Sequence, residues 1–189
     1  MGLISRIKQF CFVTLRIKKY KFLSDCKRVS GKPKLYFPLL LKGNGKIRFG
    51  KNVQIGVVSS PNYFSGYTYF EARNTNSEIN IGNNVAINNG FSIVCYSKVN
   101  IEDNVLIGGN CSMMDNDGHD LNIDKRNEEN PNSSPIFIGE NVFIGSNVSI
   151  LKGVEIGDNS VIGNGSVVTK NIPKNVIAAG NPAKVIRNL

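Results

Sequence analysis

The chain has 189 residues, 41% hydrophobic and 20% charged, which suits one globular domain with a short appendage. Its four cysteines (Cys11, Cys26, Cys95, Cys111) form no CxxC pair and no framework spacing, and no secretory apolar core with a small-residue cleavage site is present, so a disulfide scaffold is excluded and a reducing cytoplasm is expected. The net charge of +9 is uneven: residues 1–51 hold fourteen Lys and Arg against the single acid Asp25, and residues 52–189 hold nine against thirteen.

Residues 2–23 read as a basic amphipathic helix. Leu3, Ile7, Phe10, Cys11, Thr14, Leu15 and Ile17 recur at three- and four-residue steps, and Arg6, Lys8, Arg16, Lys18, Lys19 and Lys21 supply the charge. Charge interrupts the segment too often for a bilayer span, which needs about 20 apolar residues. Two readings fit it: a helix packed on the rest of the chain, or an interfacial helix drawn to anionic lipid, where each Lys or Arg is worth on the order of 1 kcal/mol. Nucleic acid is not expected, because the basic patch lacks an interleaved recognition motif.

Residues 32–41, with Pro33 and Pro38, read as a connector, so that residues 1–41 form an N-terminal segment. A different rhythm follows over 42–176. Phe49-Gly50 and Ile55-Gly56 stand six residues apart, and residues 57–67, with Pro61 and Gly66, break the beat as a loop. It resumes through Tyr69, Thr75, Ile81-Gly82, Ile87 and Ile93, shifts by two residues around Val99-Asn100, and continues through Ile101, Ile107 and Met113. Residues 115–135 abandon it altogether, and a loop of that length inside a compact domain is usually functional.

From Ile136 the beat is strict. Ile138, Ile144, Ile150, Ile156, Ile162 and Val168 are six apart, with Val142, Val148, Val154, Ser160, Ser166 and Ile172 four residues behind each. A period of six is neither helical nor that of a plain strand, and marks a solenoid. Three hexads close one triangular coil, so Ile138 is expected on Ile156, Ile144 on Ile162 and Ile150 on Val168. The corners fall on Glu140-Asn141, Ser146-Asn147, Asp158-Asn159 and Asn164-Gly165, residue types that accept turn and left-handed backbone at least cost. Residues 177–189 leave the beat, and Pro182 rules out a simple continuation of the ladder.

His119 is the sole histidine and stands where the long loop leaves the solenoid. An imidazole titrating near neutrality can take a proton from an alcohol. The flanking acids Asp115, Asp117 and Asp120 are candidates to orient it, Asp117 foremost. Cys111 is expected to be a small buried thiol and not a nucleophile. The run Asp115-Asn116-Asp117-Gly118 opens like a calcium loop, but its Gly is two positions early and Arg126 stands where the bidentate Glu belongs. A carbonic-anhydrase-type metal site would need several histidines, so no metal is expected.

The segments Ile-Gly-x-Asn-Val-Phe-Ile-Gly, Gly-Ser-Val-Val-Thr-Lys and Ala-Gly-Asn-Pro-Ala-Lys-Val-Ile-Arg of residues 138–187 resemble the hexapeptide-repeat sugar O-acetyltransferases, including galactoside, maltose and capsule acetyltransferases. The resemblance covers residues 69–189 well and residues 1–45 hardly at all. It implies an all-β, left-handed parallel β-helix, a handedness that spacing alone cannot give and that runs against the usual crossover preference. It also implies acetyl-CoA as co-substrate, a homotrimer in which the cleft lies between neighbouring coils and the long loop reaches across it, and a sugar or lipid-linked saccharide acceptor in cell-surface polysaccharide assembly, in the cytoplasm or at the inner face of its membrane. His119 matches the family's general base, with Asp117 beside it. Asn88, Asn89, Asp115 and Phe143, the last where relatives carry Trp, match the acceptor side. Ser146, Asn164, Thr169 and Lys170 match the pantetheine contacts, and Lys184 and Arg187 the nucleotide phosphates. An N-acetyltransferase of an amino sugar would share fold and donor; a non-catalytic scaffold would need neither His119 nor the terminal cations.

Overall fold

The computed structural model describes residues 2–128 and 131–189; residues 129 and 130 of the polar run lie outside the described residues. A helix over Leu3–Gln9 (α1), a π-helical turn at Phe10–Thr14 and a second helix over Leu15–Leu23 (α2) precede six coils of short strands. The first coil is β1 (Arg28–Ser30), β2 (Lys34–Leu35) and β3 (Leu39–Lys42), and the second β4 (Lys46–Phe49), β5 (Gln54–Ile55) and β6 (Thr68–Ala72). The third is β7 (Glu78–Ile81), β8 (Ala86–Ile87) and β9 (Ser92–Cys95), and the fourth β10 (Lys98–Ile101), β11 (Leu106–Ile107) and β12 (Ser112–Met114). After the long loop come β13 (Ile136–Ile138), β14 (Phe143–Ile144) and β15 (Ser149–Leu151), then β16 (Glu155–Ile156), β17 (Val161–Ile162) and β18 (Val167–Val168). A hairpin of β19 (Val176–Gly180) and β20 (Ala183–Asn188) ends the chain.

Equivalent strands stack into three sheets. The first face runs β1-β4-β7-β10-β13-β16, the second β2-β5-β8-β11-β14-β17-β19-β20, and the third β3-β6-β9-β12-β15-β18. Every pairing is parallel except β19 with β20. The result is the left-handed parallel β-helix that the resemblance implied. The expected stacks are all present: Ile138 on Ile156, Ile144 on Ile162, Ile150 on Val168. Each of these side chains is buried, as are Val142, Val148, Val154 and Ile172, giving one continuous core. Burying such an aliphatic is worth about 1.5–3 kcal/mol. Ser160 and Ser166 are fully buried too, and their hydroxyls donate to the Pro173 and Gly163 carbonyls at 2.7 Å, so the core carries them without an orphaned group.

The corners explain the rest of the hexad. Asn141, Asn147, Asn159 and Gly165 all have positive φ, between 57° and 70°. The preceding corner residue reaches back one coil: the side-chain oxygen of Asp158 accepts the Glu140 N–H, and that of Asn164 the Ser146 N–H, each at 2.8 Å. A Cβ on Gly145 would lie 2.3 Å from Asn164 Oδ1, so the glycine of the Ile-Gly dyad is required by close approach and not by its backbone angles.

Three regions depart from the sequence expectation. The connector expected over 32–41 instead builds β2 and β3, and the solenoid begins at Arg28. The two-residue shift falls at Tyr96-Ser97, after which partners are twenty residues apart (Ile81 on Ile101, Ile87 on Ile107, Ile93 on Met113). The tail first continues the second face as β19 and only then turns at Asn181-Pro182 into antiparallel β20. The N-terminal helix packs on the first coils: Val13 is fully buried with Phe37 and Tyr63, and Tyr20 stacks on Tyr67.

Candidate functional site

His119 belongs to the loop that leaves the corner between the third and first faces. The root of that loop is built from side chains. Asp115 is fully buried, and its two carboxylate oxygens accept the Tyr96 and Ser97 N–H groups, each at 2.7 Å, with the Cys95 thiol at 3.4 Å. It therefore holds the widened corner of the preceding coil. This corrects its expected place on the acceptor, because no face of it reaches solvent. Burial, together with the Asp115 charge, pushes the Cys95 thiol far up and keeps it protonated. Asn116 is also buried and accepts the Gly118 N–H at 2.8 Å, fixing the turn that presents His119.

His119 itself is exposed, and its Nδ1 lies 3.1 Å from the Arg126 carbonyl oxygen. A carbonyl can only accept, so in the neutral ring Nδ1 carries the proton and Nε2 presents its lone pair outward. The group that orients the imidazole is thus a backbone carbonyl. Asp117, the acid expected in that role, is instead paired with Lys152 on the next coil. That ion pair ties the loop to the solenoid, and Asn122 caps the short 3₁₀ turn Ile123–Lys125 that brings Arg126 back to the histidine. Sequence reasoning missed Lys152 and Arg126. Lys152-Gly153 does break the Asn-rich corner pattern, but a backbone acceptor leaves no trace in residue type.

A second group lies on the corner between the second and third faces. Asn88 is half-buried, and its Oδ1 accepts the Asn89 N–H at 2.7 Å, which leaves its NH₂ as the remaining polar group. Asn89 is buried and is occupied in pinning the 57–67 loop: its Nδ2 donates to the Val57 and Pro61 carbonyls at 3.2 and 3.1 Å, and its Oδ1 accepts the Val57 N–H. Asn88 therefore stands as the acceptor candidate and Asn89 as its support. Two coils on, Ser146 and Asn164 stack as expected, coupled by the hydrogen bond described above. The Ser146 hydroxyl in turn accepts the Gly109 N–H at 3.2 Å. The amides of Gly145, Ser146 and Asn147 are all engaged, with the Ile162 carbonyl, the Asn164 amide oxygen and the Gly109 carbonyl respectively, so none is free to meet an oxyanion. Phe143 lies on the second face between Leu106 and Val161, an exposed apolar wall. Lys184 and Arg187 are exposed on β20 at the end of the same face, whereas Thr169 and Lys170 turn the other corner, on the side of the histidine loop.

Within one chain the two groups do not meet. The third face separates them, and its five or so residues at about 3.3 Å each put the corners about 15 Å apart. Cys111 lies between them, buried, its thiol 3.0 Å from the Gly145 carbonyl and its pKa raised by desolvation, which makes it a packing residue. A concavity of about 830 Å³ on the first face, lined by Phe137, Glu155 and Asn171, contains none of the expected residues. Among the described residues no group of three or more His, Cys, Asp or Glu side chains converges as metal ligands would.

The family described as the hexapeptide repeat of succinyl-transferase matches residues 98–118 and 135–170. In sequence the chain is similar to the galactoside O-acetyltransferase of Escherichia coli K12, with 47% identity over 113 residues that cover 60% of this chain and 55% of that enzyme. It spans a little over half the length of the relatives it matches in this way. In structure it is similar to a galactoside acetyltransferase in complex with coenzyme A, with a TM-score of 0.58 and 44% identity over 71% of this chain and 64% of that one. The polySia specific acetyltransferase NeuO superposes with a TM-score of 0.62 and 30% identity over 85% of this chain and 82% of that one.

Proposed function

The chain belongs to the hexapeptide-repeat acetyltransferase family, and from that premise we propose that it moves an acetyl group from acetyl-CoA to a sugar hydroxyl. The observation that carries this reading is the His119 tautomer, set by the Arg126 carbonyl, which leaves Nε2 as a proton acceptor at an exposed loop edge. His119 takes the hydroxyl proton as the sugar oxygen attacks, and returns it to the departing sulfur, so protons balance without an acyl-enzyme. The donor supplies the thioester carbon. Asn88, through its NH₂, steers the acceptor, and Phe143 gives the acyl group an apolar wall. Lys184 and Arg187 meet phosphate. Ser146, Asn164, Thr169 and Lys170 border the path of the pantetheine arm.

The separation of the two corners supports a closed homotrimer in which the histidine loop of one copy approaches the Asn88 corner of the next. The acceptor we infer is a saccharide of cell-surface polysaccharide assembly, met in the cytoplasm where acetyl-CoA is made. The test is a panel of sugars and amino sugars with acetyl-CoA, following coenzyme A release and product mass. Acetylation at oxygen is expected. Acetylation at nitrogen, or no thiol release with any acceptor, would overturn the reading.

A further inference from the structure

The N-terminal helix is apolar on two opposite sides, and the body of the protein covers one of them. Gln9 hydrogen-bonds the Tyr63 hydroxyl at 3.0 Å, Val13 is buried, Arg16 reaches the Tyr63 and Gly66 carbonyls, and Tyr20 stacks on Tyr67. On the other side Ile4, Ile7, Cys11, Leu15 and Phe22 follow at steps of three, four, four and seven, one stripe of a helix. All five are exposed, Ile4 by 71% and Phe22 by 88%. Lys8, Lys18, Lys19 and Lys21 flank the stripe, all exposed, and none is in an ion pair among the described residues. No acid occurs before Asp25.

A helix apolar on two sides needs two apolar partners. We propose that the second is an anionic lipid bilayer, with the helix lying in the interface plane, Ile4, Ile7, Leu15 and Phe22 at the acyl boundary and the lysines among the headgroups. A second copy of the helix fits this side poorly, since it would set cations against cations in an apolar contact. Nor does the segment span, because no helix among the described residues is long and apolar enough to cross.

The position of the helix gives the docking a use, which rests on the acetyl-transfer reading above. Gln9 and Arg16 hold the 57–67 loop, Asn62 of that loop donates to Asn110 Oδ1 at 3.3 Å, and Asn89 holds it at Val57 and Pro61. The helix is thus one loop away from Asn88. Docked on a bilayer, it sets the acceptor corner beside the surface where a lipid-linked saccharide is anchored.

The experiment is co-sedimentation of the full chain with phosphatidylcholine vesicles, with and without phosphatidylglycerol, over a salt series. Binding only to the anionic vesicles, released by salt, is expected. Lys8→Gln/Lys18→Gln/Lys19→Gln should weaken it by about 100-fold, about fivefold for each lysine, and Ile4→Ser/Ile7→Ser/Phe22→Ser should abolish it with oligomeric state and soluble-acceptor turnover unchanged. Absence of binding by the parent chain, or binding that survives the apolar triple, as contact with a nucleic acid would, overturns the proposal. So does loss of the oligomer in that triple, which would assign the stripe to a second copy. Vesicle binding by a chain that releases no thiol from acetyl-CoA would sustain docking and overturn acetyl transfer instead.

Discussion

Past the 57–67 loop, the corner between the second and third faces turns in much the same way coil after coil, whereas the corner between the third and first is widened at Tyr96-Ser97 and then departs for the length of residues 115–135. The first corner is held by a repeated device, in which an Asn side chain accepts an amide of the coil before it. The second is held by single-use contacts: buried Asp115, Asn116, and the pair of Asp117 with Lys152. In the proposed site a periodic scaffold thus supplies the Asn88 corner, and an aperiodic insertion supplies His119, the proposed proton acceptor.

The sharpest way to break that comparison is to disable the halves separately. His119→Ala is expected to lower turnover by about 10² to 10⁴-fold, the usual worth of a positioned base, with acetyl-CoA binding nearly intact. Asn88→Ala should lower it too. If the halves belong to different copies, co-expressing the two inactive variants restores activity, to about a quarter of wild type for random mixing, since half the loops then meet half the intact corners. No recovery in mixed oligomers would put both residues in one chain's site.

Asp115→Ala tests whether the loop root is structural. It strips the Tyr96 and Ser97 amides of their buried acceptor, and an unsatisfied group costs about 1–3 kcal/mol. A loss of about 3 kcal/mol is expected in urea unfolding, with Asp115→Asn in between. A normally stable Asp115→Ala protein with a raised acceptor KM would return this carboxylate to the acceptor. The opposite test applies to Lys184 and Arg187, which make no ion pair among the described residues. Replacing both by Ala should raise the acetyl-CoA KM about tenfold, through two solvent-exposed charges each worth up to about 1 kcal/mol, and leave stability and acceptor KM unchanged.

What was legible in the sequence follows from the same contrast. Stacks such as Ile144 on Ile162 repeat at eighteen residues, so periodicity alone exposes them, and an Asn or Gly at the corner announces its positive φ. Even the missed first coil had a signal, because Val29, Leu35, Leu41, Ile47 and Val53 stand six apart and pack on or within the core. Pro33 and Pro38 hid it by suggesting a connector. Asp115 was illegible for a different reason. Its partners Tyr96 and Ser97 lie one coil back and contribute only backbone, and an acid four residues before a solitary histidine resembles catalytic machinery. The Arg126 carbonyl that sets the His119 tautomer is equally silent, since any residue type could have supplied it.

The smallest expected effect separates scaffold from site at one residue. Asn164 lies on the path inferred for the pantetheine arm, yet its Oδ1 is already engaged by the Ser146 N–H. Its remaining donor is the NH₂ group, on an exposed corner. If Asn164 serves the corner alone, Asn164→Ala costs about 1 kcal/mol in stability and leaves the acetyl-CoA KM where it was. Asn164→Asp should then restore the stability, because a carboxylate accepts the same amide while offering no donor. If the NH₂ also holds the donor, Asn164→Asp will be as stable as the parent and will still raise the acetyl-CoA KM. Thermal unfolding and donor kinetics on these two variants therefore decide whether the periodic corner only carries the site or belongs to it.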